Sequence, residues 1–122
     1  MPGHAAIYVG DVDRMVGFYT EVLGLSRVDD EPGFATLESD DWVLTLVRSP
    51  DAVPPSDPPP RRSDSAVKPV FAVADLDATA DAATARGAVP DPPDARWTHR
   101  GEARCDLVDP EGNVLGLRAP TH

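Results

Sequence analysis

The chain carries a single cysteine, Cys105, in 122 residues. An internal disulfide is therefore excluded, and a lone thiol suits a reducing compartment. No apolar run approaches the roughly 18 residues a membrane-spanning helix needs, so no membrane partner is expected. Met1-Pro2-Gly3-His4 lacks a basic stretch leading into an apolar one. No secretory signal is read, and the cytoplasm is the expected location. Positive charge is also scarce, with 11 Lys and Arg against 21 Asp and Glu, a formal net charge of −10. Nucleic acid is thus not an expected partner, because phosphate binding needs a basic footprint. The negative field would favour cationic ligands, although acidic surfaces serve solubility more often. No Gly-rich phosphate loop is present. Three histidines, two of them near the chain's extremes, build no Ser-His-Asp arrangement.

What is there is a sequence that repeats itself. Ala6-Ile7-Tyr8-Val9-Gly10-Asp11-Val12-Asp13 is echoed by Val70-Phe71-Ala72-Val73-Ala74-Asp75-Leu76-Asp77. Each copy is a short apolar strand running into an Asp-x-Asp helix start, and each helix stops at a glycine, Gly24 or Gly87. A period of half the chain means two copies of one supersecondary unit.

In the first copy, alternation predicts a strand over His4–Val9. Asp11 then caps a helix whose Met15, Phe18, Tyr19, Val22 and Leu23 form one apolar stripe. Strands follow over Leu25–Val28, Phe34–Glu38 and Trp42–Val47, separated by Pro32-Gly33 and Ser39-Asp40-Asp41. Six prolines between Ser49 and Asp64 predict a stiff extended linker, with a Pro-rich recognition segment as the alternative. The second copy gives a strand over Val70–Val73, a helix from Asp75 to Arg86 and a short strand at Ala88-Val89. Arg104–Val108 and Val114–Leu117 then form a hairpin across Asp109-Pro110-Glu111-Gly112-Asn113. The expected architecture is α+β: one domain over 1–122 of two tandem βαβββ modules, 1–48 and 65–122, joined by the linker 49–64. Together they would form a cupped mixed sheet.

Phe18-Tyr19-Thr20-Glu21-Val22-Leu23-Gly24-Leu25 resembles the "FYxxxLGL" end of the first helix in the vicinal oxygen chelate superfamily. Asp109-Pro110-Glu111-Gly112-Asn113 resembles its "DPxGN" hairpin. That superfamily includes glyoxalase I, extradiol dioxygenases and bleomycin-resistance proteins, and its fold hosts many chemistries. The resemblance implies a homodimer. It also implies four metal-ligand positions, which fall here on His4, Thr45, Lys68 and Gly116. Only His4 matches a family ligand. A lysine ammonium has no lone pair to give, glycine has no side chain, and threonine is a weak neutral donor. No metal and no other cofactor is expected, unless His99, Glu102 or Asp106 swings in.

Strand parity sends Leu44, Leu46, Phe71, Val73, Leu115 and Leu117 to the helices. His4, Tyr8, Thr45, Lys68, Arg104, Asp106 and Arg118 then face the cup. Buried charges need partners, so a Lys68–Asp106 or Arg104–Asp106 ion pair is one reading. The other is a site for anionic or carbonyl oxygens, with Arg104 as a fork and Lys68 as a point charge. Trp97, in the loop before the last hairpin, resembles aromatics that stack on planar drugs in bleomycin- and mitomycin-resistance proteins; it and Trp42 are otherwise packing residues. Cys105 has helix-facing parity and reads as a buried, inert thiol. The expected function is metal-independent sequestration of an aromatic or oxygen-rich small molecule, of the antibiotic-resistance type. The alternatives are an enzyme (lyase, isomerase or dioxygenase) with a degenerate metal site or Lys68/His4 acid–base chemistry, and a partner-binding protein with a vestigial cup.

Overall fold

A computed structural model describes residues 2–29, 31–52 and 56–121. The chain divides between residues 54 and 55 into two compact units, each built around its own sheet.

In the first unit β1 (Gly3–Val9) leads into α1 (Val12–Leu23), then β2 (Ser26–Arg27), β3 (Phe34–Glu38) and β4 (Trp42–Arg48). The sheet order is β1-β4-β3-β2, with β1 parallel to β4 and the other pairs antiparallel. The Asp11 carboxylate accepts from the Arg14 N–H at 3.0 Å, satisfying one of the orphan donors of the first turn. The stripe Met15, Val16, Phe18, Tyr19 and Val22 is buried, each large side chain contributing roughly 1.5–3 kcal/mol. Phe18 and Tyr19 meet edge to face at 5.1 Å. Gly24, at φ 73°, takes the left-handed position that ends the helix, its N–H returning to the Thr20 carbonyl at 3.2 Å.

The second unit repeats the wiring with β5 (Val70–Ala72), α2 (Leu76–Ala85), β6 (Val89–Pro90), β7 (Trp97–His99), β8 (Glu102–Val108) and β9 (Val114–Pro120). The order is β5-β9-β8-β6, and β7 pairs with the other end of β8. Asp75 caps α2 as Asp11 caps α1, accepting from the Ala78 N–H at 3.1 Å. This helix is Ala-rich and buries only Leu76, Thr79 and Ala83. Core positions match across the repeat: Leu44 and Leu46 in β4, Leu115 and Leu117 in β9, all 1% exposed or less.

Two expectations change. Trp97 lies in a strand, not a loop. β6 and β7 are two pieces along one side of β8, and a 3-10 turn at Pro93–Ala95 loops out between them. Prolines at 90, 92 and 93 forbid a continuous ladder there. The Asp77 carboxylate accepts from Arg96 Nη1 at 2.7 Å, which ties that excursion to α2. The second change concerns the Pro-rich segment, whose residues 53–55 lie outside the described residues. From Ser56 onward it belongs to the second unit, where Pro59 is buried and the Arg62 N–H donates to the Gly112 carbonyl at 2.9 Å.

That strap packs on the Asp109–Asn113 turn. Fully buried Asp109 is satisfied from within: its carboxylate accepts from the Glu111 and Asn113 N–H groups and from Asn113 Nδ2, each at 2.9 Å. Gly112 sits at φ 97°, and a Cβ there would run into the Pro60 carbonyl oxygen. Only glycine meets both demands.

Candidate functional site

In each unit the helix covers one side of the sheet, and the residues of opposite parity lie on the other side. In the second unit the register places Ala72, Arg118, Arg104 and Trp97 in one row across four strands, and Val70, Gly116 and Asp106 in the next. Lys68 precedes β5 and donates to both oxygens of Asp106, at 2.9 and 3.1 Å. The same ammonium stands 5.3 Å from the Trp97 ring centre, within cation–π range. Trp97 remains 42% exposed. Of the two ion pairs the sequence allowed, the structure forms Lys68–Asp106; Arg104 bonds instead to Glu102, through Nη2 at 3.3 Å. Glu102 accepts a second guanidinium, Arg118 Nη1 at 2.8 Å. The Nε of Arg104 is buried with no hydrogen-bond partner among the described residues. The clustering of Lys68, Trp97, Arg104, Asp106 and Arg118 therefore lies within one unit.

The first unit's open side differs. Tyr8, Val47 and Phe34 form one row, Ala6, Thr45 and Thr36 the next, and His4, Val43 and Glu38 a third. Tyr8 is 62% and Phe34 38% exposed. His4, Tyr8 and Thr45 thus share a face, with His4 exposed and Thr45 half-buried. The sequence reading overlooked Phe34 and Glu38, although the alternation of Phe34–Glu38 places both on this side. It also overlooked a shallow depression of about 550 Å³ beside the start of α1, lined in part by Asp11, Asp13, Arg27, Glu31 and Arg48. No single motif marks it.

The positions that correspond to family metal ligands do not make a donor set. In the second unit Lys68 brings a cation held by Asp106, and Gly116 brings no side chain. A Cβ at Gly116 would already lie 2.9 Å from a Val70 methyl carbon, so a carboxylate side chain there requires Val70 to move. Among the described residues no three His, Cys, Asp or Glu side chains gather in a metal-binding group. His4 and Thr45 stand on adjacent strands but in different rows, since His4 pairs with Val43 and Thr45 with Ala6. These residues do not fit a divalent ion as the family holds one.

Cys105 lies on the helix side of β8, 1% exposed, with Sγ 3.2 Å from the Asp106 carbonyl oxygen. Burial pushes its thiol above the ordinary range, and the nearby Arg96 guanidinium only partly opposes this. It remains a neutral packing group.

Two βαβββ units, the helix ending in Leu23-Gly24-Leu25 and the Asp-Pro-Glu-Gly-Asn turn define a class, and residues 2–117 match it. The chain belongs to the Glyoxalase/Bleomycin resistance protein/Dioxygenase superfamily. Among solved structures it is similar to a glyoxalase/bleomycin resistance protein/dioxygenase family enzyme from Burkholderia phytofirmans PsJN, with 18% identity, 97% of each chain covered and a TM-score of 0.72. It is similar to the fosfomycin resistance protein FosX from Listeria monocytogenes, with 12% identity, 99% of this chain and 93% of that one covered and a TM-score of 0.72. TnmS3, an antibiotic binding protein from Streptomyces sp. CB03234, shares 25% identity over 99% of this chain and 96% of its own, with a TM-score of 0.67. No curated protein matches the chain. No described helix is long and apolar enough to cross a membrane.

Proposed function

We propose that this chain is a metal-independent small-molecule-binding protein of the resistance type, which sequesters an aromatic or oxygen-rich compound. The observation that carries the reading is the exposed Trp97 ring set among Lys68, Arg104 and Arg118 on the open side of the second sheet. A partly exposed tryptophan ring is a large, rigid stacking platform, and flanking cations supply directional donors to ligand oxygens. One part of the ring is already approached by the Lys68 ammonium, so a planar ligand takes the uncovered part. The likeness to an antibiotic binding protein supports the same reading.

The mismatch between donor set and metal supports independence from a cation. Base chemistry by Lys68 has little support in the geometry, because the ammonium is already engaged as a donor to both Asp106 oxygens. We further propose a cytoplasmic homodimer, which sedimentation would check; a single monomeric species at tens of micromolar would remove the dimer from the proposal.

Binding is tested by tryptophan fluorescence. In a Trp42→Phe background, planar aromatic compounds should quench Trp97 saturably, and Trp97→Leu should weaken binding about tenfold or more. No saturable quenching across a broad aromatic set would refute sequestration. Elemental analysis of protein purified without chelator tests the metal clause, and one equivalent of tightly held Zn, Mn, Ni or Fe would overturn it.

A further inference from the structure

The open side of the second sheet carries three cations, Lys68, Arg104 and Arg118, in a chain of net charge −10. Asp106 and Glu102 both answer them, and they are unevenly shared. Asp106 gives both oxygens to Lys68. Glu102 is divided, bonding Arg118 well at 2.8 Å and Arg104 poorly at 3.3 Å. Arg104 is the under-served group. Its side chain is only 18% exposed, its Nε has no partner among the described residues, and the long Glu102 contact is its one ion pair there. A guanidinium has five N–H donors to satisfy.

The register sharpens this. Arg104 and Arg118 face each other directly across β8 and β9. Like charges at directly opposed positions destabilise a sheet. On its other side Arg104 is directly opposite Trp97. A guanidinium is therefore held between a second guanidinium and an indole, with less negative charge than it can use.

We infer that this face selects a monoanionic planar ligand, an aromatic carboxylate or a group of like charge and shape, whose anion bridges Arg104 and Arg118 while its ring lies on Trp97. The inference rests on the aromatic-binding reading above and adds the charge class. Negative charge at this point answers the opposed guanidinium pair and strengthens the weak pairing of Arg104's terminal nitrogens; a neutral ring of the same size does neither.

The test compares 2-naphthoate with 2-naphthamide, which has the same ring and no charge, by titration calorimetry on the full chain at low salt. The carboxylate should bind about tenfold more tightly, the scale of one charge-assisted hydrogen bond. That advantage should shrink as salt rises. Arg104→Gln should bring the ratio close to one, and Arg118→Gln should reduce it if the first variant does not fold. Trp97→Leu should weaken both probes by similar factors and leave the ratio in place. Equal affinities in the unmodified protein, or a preference for the amide, overturn the charge selection and leave aromatic binding standing. If neither probe binds at millimolar concentration, both readings fall.

Discussion

Across the open side of the first sheet runs the row Tyr8, Val47, Phe34; at the same place in the second runs Ala72, Arg118, Arg104, continued by Trp97. The sides facing the helices have changed far less: Leu37, Leu44 and Leu46 in one unit answer to Leu107, Leu115 and Leu117 in the other. Net charge follows the same divide. The first 54 residues hold ten acids and three arginines, a net −7, and the remainder eleven acids against eight Lys and Arg, a net −3. Core positions are held by packing, where a missing methylene costs stability at once. Open positions carry no such constraint and are free to specialise, one unit toward apolar and aromatic surface, the other toward cations around an indole.

The largest expected effect tests the equivalence of the cores. Leu46→Ala and Leu117→Ala should each cost about 2–5 kcal/mol by denaturant titration. A much smaller loss in one unit would show that the duplicated leucines are not energetically alike. Next come the glycines that end or tighten the two halves. Gly112→Ala combines a positive φ with a collision against the Pro60 carbonyl, and should cost about 2–4 kcal/mol. Gly24→Ala meets open space and only the backbone penalty, about 1–2 kcal/mol. Similar melting shifts for the two would contradict docking of the strap. The caps should behave as a matched pair, Asp11→Ala and Asp75→Ala each costing about 1 kcal/mol; a clear inequality would show that the thinner α2 depends on its cap differently from α1.

The smallest effect is a pH dependence confined to the second unit. The Cys105 thiol is raised by burial, so the neutral form is favoured in the folded chain. That contribution to stability is complete below the ordinary thiol pKa of about 8.5 and is lost as pH rises through the higher folded value. Cys105→Ala should flatten stability against pH above about 8.5, and thiol reagents should label the native chain far more slowly than the unfolded one. Fast native labelling would contradict the burial.

Most of the scaffold was legible because it rests on local signals. Asp-x-Asp starts, a glycine stop and alternating strands each act within a few residues, and the repeat checks them against one another. The Lys68–Asp106 pair was legible as one of two parity-consistent options. What parity could not decide was which carboxylate each cation would find. Glu102 sits on the same face as Arg104, two residues away, but its sharing with Arg118 depends on the β8–β9 register. The prolines from Pro90 to Pro93 point to a loop at Trp97, because they hide a strand that resumes after a six-residue excursion along the same neighbour. The docking of the Pro-rich strap is hidden for a related reason: proline composition predicts extension, and extended chain packs on a turn as readily as it spans solvent.

The interruption between β6 and β7 has an effect on how molecules of this protein meet one another. A bare sheet margin offers unpaired amides and carbonyls that a second chain can zip onto, which is how many β-rich proteins precipitate. Here that margin is cut into pieces of two and three residues, with proline inside and beside the first. Trp97 is thus presented to solvent at a border too short and too broken to recruit a foreign strand, so a sticky aromatic is displayed without inviting fibrils.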